Sequence, residues 1–276
     1  MTRIVILTGS ELRHTFFRKF MALSPDIEVA QSYCEGLEKS LRAWTERETV
    51  HDLRARHLAA RERSERDFFG LFVQTTPDCS NPLFLPKGDI NLPQYTDGIM
   101  DQDPDLVVLY GCSIIREPLL SHFRGRMLNV HLGLSPYYRG SGTNYWPLVN
   151  REPEYVGATF MYPDAGIDTG KILHQMRASI VWGDTPVQIG NRLIVDMART
   201  YREIVLHFKE VKEMPRLPKP FLERYYRKSD FSEESVAKLY QNFKEGLVEA
   251  YLREASARCS KVPMIENPGI PANPCE

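Results

Sequence analysis

Between Asn129 and Leu173 the sequence concentrates side chains that can donate hydrogen bonds and carry protons. Asn129 and His131 stand two apart in the otherwise apolar run Leu128-Asn129-Val130-His131, which places both on one side of a strand. They also fall at its carboxyl end, where ligands collect in open α/β sheets. Taken alone, such a pair reads first as a structural histidine satisfied by its neighbours. Two loops add weight to a site. The polar, glycine-rich stretch from Gly133 to Gly142 follows His131 directly, and Asp164-Ala165-Gly166-Ile167-Asp168-Thr169-Gly170 joins two strand-like runs. Loops held by rigid strands are common mounts for catalytic groups. Asp168, between Gly166 and Gly170, also satisfies plain turn chemistry.

The elements that must hold these residues follow from periodicity. Ile4 to Leu7 is a continuous apolar, β-branched run ended by Thr8-Gly9-Ser10, which predicts a buried parallel strand and a turn. Leu12, Phe16, Phe17 and Phe20 then recur at helical spacing, with Ser10 as the expected N-cap. A G-x-G-x-x-G pattern is absent, which argues against a dinucleotide loop. Residues 34–69 read as a helical, Arg-rich insertion whose mixed charges fit a solvated face, with phosphate contact as the sharper alternative. Pro77 to Pro93 reads as a loop. Leu106 to Gly111 and Arg126 to His131 predict two more buried strands around a short helix from Pro118 to Phe123. Val156 to Tyr162 and Lys171 to Val181 predict an antiparallel pair. Thr185-Pro186-Val187-Gln188 is a capping box with proline at the first helical position, and an apolar face continues to Phe208. A further capped start at Asp230 opens a last helix through Tyr251, and the tail from Pro263 reads as extended. The expected fold is therefore α/β: a Rossmann-like, doubly wound, mostly parallel sheet with helices on both faces, plus a small C-terminal helical extension. The expected division is a catalytic domain over 1–208 and an extension over 209–276.

Composition excludes more than it suggests. The 276 residues carry 35 Lys+Arg against 36 Asp+Glu, a net charge of −1. That balance removes the electrostatic case for general binding to nucleic acid or an anionic membrane. Five scattered cysteines without a C-x-x-C pair suggest neither a disulfide framework nor a zinc knuckle, and the histidines are not spaced as metal ligands. With the short N-terminal apolar run, this predicts a cytoplasmic protein with no metal.

Three ordered motifs carry a family resemblance. The segment from Leu128 to Gly140 resembles the strand and Ser-Leu-Leu-Pro-type loop of the folate-dependent formyltransferases, the family of glycinamide ribonucleotide, methionyl-tRNA and sugar-nucleotide N-formyltransferases. Val156-Gly157-Ala158-Thr159-Phe160 with the Asp164 to Leu173 stretch is similar to that family's Gly-Val-Thr strand and Asp-x-Gly-x-Asp-Thr-Gly loop, and Pro104 to Gly111 to the strand before them. The resemblance places a catalytic trio on Asn129, His131 and Asp168 and implies N10-formyltetrahydrofolate as the formyl donor. It points to Tyr110, Cys112, Ile114, Ile115 and Asp164 for the pterin, and Ser135, Tyr138, Arg139 and Gly140 are the candidates for acceptor contact. Such a trio suits the chemistry. Donors from Asn129 and His131 would stabilise the oxygen that turns negative when an amine attacks the formyl carbon, and Asp168 would orient the imidazole and favour its protonated form.

The acceptor is narrowed by what the chain lacks. Only 68 residues follow Phe208, with 12 Lys+Arg and 11 Asp+Glu, too balanced for a tRNA clamp. Thr8-Gly9-Ser10-Glu11 does not match the phosphate loop of glycinamide ribonucleotide enzymes, and a first strand starting at Arg3 leaves no room for the regulatory domain of formyl-folate hydrolases. A small amine with a phosphate remains the expected acceptor, foremost an amino sugar of a nucleotide-linked sugar, with the Arg-rich insertion and Arg224-Tyr225-Tyr226-Arg227-Lys228 as phosphate and base contacts. An amino-acid-type amine such as hydroxyornithine, a formyltetrahydrofolate hydrolase and a non-catalytic folate binder are the alternatives. The C-terminal helix either builds a homodimer face or caps the core.

Overall fold

The computed structural model describes residues 1–37, 52–166, 169–217 and 223–271. The first strand, β1 (Thr2–Gly9), leads into α1 (Leu12–Ala22). The N-cap of α1 is Glu11, in a capping box with His14, not Ser10. A second strand, β2 (Ile27–Glu35), contains Cys34, so the helical insertion does not begin there. Residues 38–51 of the expected insertion lie outside the described residues. Helix α2 (Leu53–Glu65) runs on through a π-helical turn at Arg66–Gly70 into α3 (Leu71–Thr75). The stretch expected to be loop holds a short strand, β3 (Pro82–Leu85), and is followed by α4 (Pro93–Asp101).

The site-bearing half follows expectation closely. Strand β4 (Leu106–Tyr110), helix α5 (Leu119–His122) and strand β5 (Met127–His131) come first. Then come β6 (Tyr138–Gly140), α6 (Trp146–Val149), β7 (Gly157–Met161) and β8 (Ile172–Arg177). Helix α7 (Pro186–Leu206) starts at the expected Thr185 capping box. Past β9 (Arg224–Tyr226), two helices replace the single one expected, α8 (Glu233–Lys244) and α9 (Leu247–Cys259). Ser232, with Ser235, caps the first, and Gly246 at φ 77° breaks the chain between them.

Seven strands form one sheet in the order β3-β2-β1-β4-β5-β7-β8. The first five in that order are parallel, and β7 is antiparallel to β5 and β8. Alternation along β1 splits the core in two. Ile4 and Ile6 pack with Phe17, Ile194, Met197 and Tyr201, while Val5 and Leu7 pack with Ile99, Leu119 and Phe123 on the opposite face. Helices therefore cover both faces, and the middle strand β4 is buried throughout. Because the chain runs outward from β1 to β3 and then returns to β4, the carboxyl ends of β1 and β4 are a topological switch point.

The last quarter of the chain joins this core. Leu239, Leu247, Val248, Tyr251, Val262 and Ile270 are buried with it. The Asn242 amide donates to the carbonyls of Leu148 and Val149, both at 2.9 Å, satisfying the end of α6. Ile265 lies along β8, its carbonyl accepting from Gln175 N–H at 2.7 Å. A parallel bridge between β6 and β9 ties the loop after His131 to the same segment. Among the described residues no helix is long and apolar enough to cross a membrane.

Candidate active site

Asn129 pairs with Leu109 on one side and Met161 on the other, and His131 lies opposite Thr159. Both are half-buried on a strand whose other members are buried. The loop after His131 is held from below. Thr159 Oγ1 donates to the Gly133 carbonyl at 2.7 Å and accepts from Ser135 N–H at 3.0 Å, and the Gln175 amide donates to Ser135 O at 2.7 Å. Gly133 is demanded by crowding: a Cβ there would stand 2.6 Å from Thr143 Cβ and 2.9 Å from His131 Nε2. Asp168 lies outside the described residues. Its neighbours are fixed by Asp164, whose Oδ1 accepts from Gly166 N–H at 2.9 Å and Thr169 Oγ1 at 2.7 Å.

Asn129 and His131 face two different clefts. The smaller, of about 140 Å³, is lined by Asn129, Leu109, Cys112, Ile114, Ile115, Met161 and Asp164. Its outer wall, residues 111–115, rests on Glu35, a fully buried carboxylate. Glu35 accepts from Ser113 N–H at 2.5 Å and Gly88 N–H at 2.9 Å and pairs with Lys87 Nζ at 2.9 Å. Asn91 clips the same wall, donating to Ile114 O at 3.0 Å and accepting from Arg116 N–H at 2.8 Å. Burial, then the nearby Glu35 charge, pushes the Cys112 thiol up to about 12, so it stands there as a neutral thiol.

The larger cleft, of about 390 Å³, has His131 among its walls with Arg13, His14, His57, Arg61, Tyr145, Arg227 and Phe231. Arg13 and Arg61 share one oxygen of the buried Glu65, at 2.8 and 3.1 Å. Burial holds His57 down at about 4, assisted by Arg61. His14 is pushed well below its usual value by burial, then by Arg13, Lys87 and Arg61. Glu11 N–H donates to His14 Nδ1 at 3.3 Å, so the neutral ring carries its proton on Nε2. The ring stands edge-on to Tyr110, 4.9 Å between centroids at 72°.

The expected contacts divide between these clefts. Cys112, Ile114, Ile115 and Asp164 gather beside Asn129, but Tyr110 faces the larger cleft instead. Of the expected acceptor contacts, Gly140 lines the larger cleft. Ser135 and Arg139 line a third pocket, of about 210 Å³, with Lys171 and Arg216. Tyr138 is 1 % exposed and lines none of the three. Its hydroxyl donates to Glu152 and accepts from the Asn150 amide, which makes it a packing residue. Sequence reasoning missed Arg13, His14, His57, Tyr145 and Phe231 as cleft walls, and Glu35, Asn91, Thr159 and Gln175 as supports. Among the described residues no cluster of His, Cys, Asp or Glu could hold a metal ion.

The sequence and the fold have counterparts. The chain is 35 % identical over 139 residues to a methionyl-tRNA formyltransferase of Desulforamulus reducens, covering 50 % of this chain and 43 % of that one. It is 33 % identical over 123 residues to that of Geobacter metallireducens, covering 44 % and 39 %. It thus spans less than half the length of these curated relatives. Its fold is shared with phosphoribosylglycinamide formyltransferase from Anaplasma phagocytophilum, at TM-score 0.54 and 15 % identity over 82 % of this chain and 98 % of that one. A sugar N-formyltransferase from a Shewanella species superposes at TM-score 0.53 and 18 % identity over 84 % and 78 %. A family model described as formyl transferase matches residues 58–205, more than half of the chain. That match takes in the strand of Asn129 and His131, the loops on either side of it and nearly all of α7, and the chain belongs to the formyl transferase family.

Proposed function

We propose that the chain transfers a formyl group from N10-formyltetrahydrofolate to the primary amine of a small metabolite, with an amino sugar of a nucleotide-linked sugar as the acceptor. The observation that carries this reading is the position of Asn129 and His131, neighbours on one strand end that border two clefts of opposite character. The smaller cleft suits a flat heterocycle. Leu109, Ile114, Ile115 and Met161 give it apolar walls, and Asp164 gives it one carboxylate to accept from an N–H edge. The larger cleft has cationic Arg13, Arg61 and Arg227 and aromatic Tyr145 and Phe231, a lining suited to an anionic acceptor with a ring to pack.

When bound, the folate supplies an electrophilic formyl carbon. The Asn129 amide and a ring N–H of His131 donate to the formyl oxygen as it gains negative charge. Asp168 is assigned the orienting of the imidazole. A C–N bond to the acceptor amine replaces the bond to the folate nitrogen, and the amine's proton leaves on that nitrogen, with His131 and Asp168 as carriers. Thr159, Gln175 and Gly133 act through His131 as positioning residues.

The test is incubation of purified protein with N10-formyltetrahydrofolate and a panel of amino-sugar nucleotides and amino-acid-type amines, read by mass spectrometry for the gain of one formyl group. Donor consumption without any formylated amine would identify a hydrolase instead. No change in either would remove the catalytic reading.

A further inference from the structure

The end of the larger cleft at the β1/β4 switch point is built almost entirely of hydrogen-bond donors. Tyr110 is 3 % exposed, and its hydroxyl finds no acceptor among the described residues. The Arg13 guanidinium lies close enough to act on it, but arginine only donates, so the phenolic O–H still lacks an acceptor. Leaving a buried donor unused is costly, and a ligand atom is the natural remedy. Arg61 stands nearby with, among the described residues, a single hydrogen bond, from Nε to Glu65 at 3.1 Å, and both terminal nitrogens have no partner among those residues. Arg13, by contrast, is already matched by Glu65 and Glu11. Among the described residues every charged side chain lining the cleft is a cation, and His14 and His57 are held neutral.

The usual place for an anion beside a first strand is the N-terminus of the following helix. Here Glu11 occupies it, the N-cap of α1, with its carboxylate paired to Arg13. A carboxylate at that point repels the group the helix would otherwise attract.

We propose that the terminal nitrogens of Arg61 and the hydroxyl of Tyr110 form an oxyanion subsite at the switch point, where a phosphate or carboxylate of the acceptor docks instead of on the N-terminus of α1. The inference rests on the reading that the larger cleft takes the acceptor. It assigns the specificity for an anionic acceptor to two side chains that lie far apart in the sequence.

Calorimetry separates this proposal from formyl transfer, because neither donor nor amine is present. Wild-type protein, Tyr110→Phe and Arg61→Gln are each titrated with inorganic phosphate, pyrophosphate and glutarate. The expected result is that at least one anion binds wild-type protein and that each substitution weakens it about tenfold or more. Preference for the phosphates or for glutarate then tells a phosphate ester from a carboxylate. Tyr110→Phe keeps the ring that packs on His14 and Phe17, and a thermal melt checks the fold of both variants. The proposal is overturned if none of the three anions binds, or if both folded variants bind as tightly as wild type.

Discussion

A methyl group added at position 133 would press on Thr143 and on the imidazole of His131 together. Gly133→Ala is therefore expected to cost about 1–3 kcal/mol of stability by overpacking and to lower turnover about tenfold or more by shifting the ring. Denaturant melts and initial rates on the same preparation check both. His131→Ala and Asp168→Asn should each lower turnover by ~10²–10³ while folate binding, followed by fluorescence, survives; near-normal turnover in both would refute the assignment. At this scale Asn129 and His131 were legible because one strand carries both, two residues apart. Arg13, His14 and Arg61 were not, since a charged helix advertises a solvated face and nothing local shows which arginines turn inward. Tyr110 was misplaced through strand parity. Leu106, Val108 and Tyr110 face the α1 and α7 side, while Val107 and Leu109 face the other, where the smaller cleft opens.

The 111–115 wall has no regular structure of its own and takes its shape from the end of β2. Replacing Glu35 by alanine would remove the acceptor of the Gly88 and Ser113 N–H groups and the carboxylate paired with Lys87. Breaking such a buried pair is expected to cost about 3–5 kcal/mol. Glu35→Gln should recover part of that loss through its amide carbonyl. Urea melts of the two variants, with hydrogen exchange at Ser113, would show whether the wall loosens first. Both β2 and β3 were hard to read for physical reasons. In β2 the polar residues Gln31, Ser32 and Glu35 interrupt the apolar pattern, and Glu35 at its end is spent on supporting the 111–115 wall. The four residues of β3 begin at a proline within a loop-like composition. The long elements β1, β4, β5 and α7 announced themselves because continuous burial or a full amphipathic face demands a periodic sequence.

The whole molecule is expected to be acid-sensitive in a defined window. His57 and His174 are held at about 4 in the folded chain, chiefly by burial, against an ordinary value of 6.5. Between those values the unfolded chain binds more protons, so stability is full above about pH 6.5, falls as pH drops towards 4 and levels off below it. Each histidine contributes up to about 3 kcal/mol. Urea melts at pH 7 and 4.5 should show the loss, with a smaller difference in His57→Gln. Removal of residues 228–276 would expose the core surface now covered by Leu239, Leu247, Val248 and Tyr251, and the remainder is expected to aggregate or bind a hydrophobic dye. The bridge from Gly140 to Tyr226 has a consequence for descent. Among the described residues the smaller cleft has no wall beyond Gly170, whereas Arg227 and Phe231 wall the larger one from beyond that bridge. On the proposed division of the clefts, a lineage that exchanges this late stretch inherits a new acceptor with its donor chemistry untouched, as a tool takes a new jaw on the same handle.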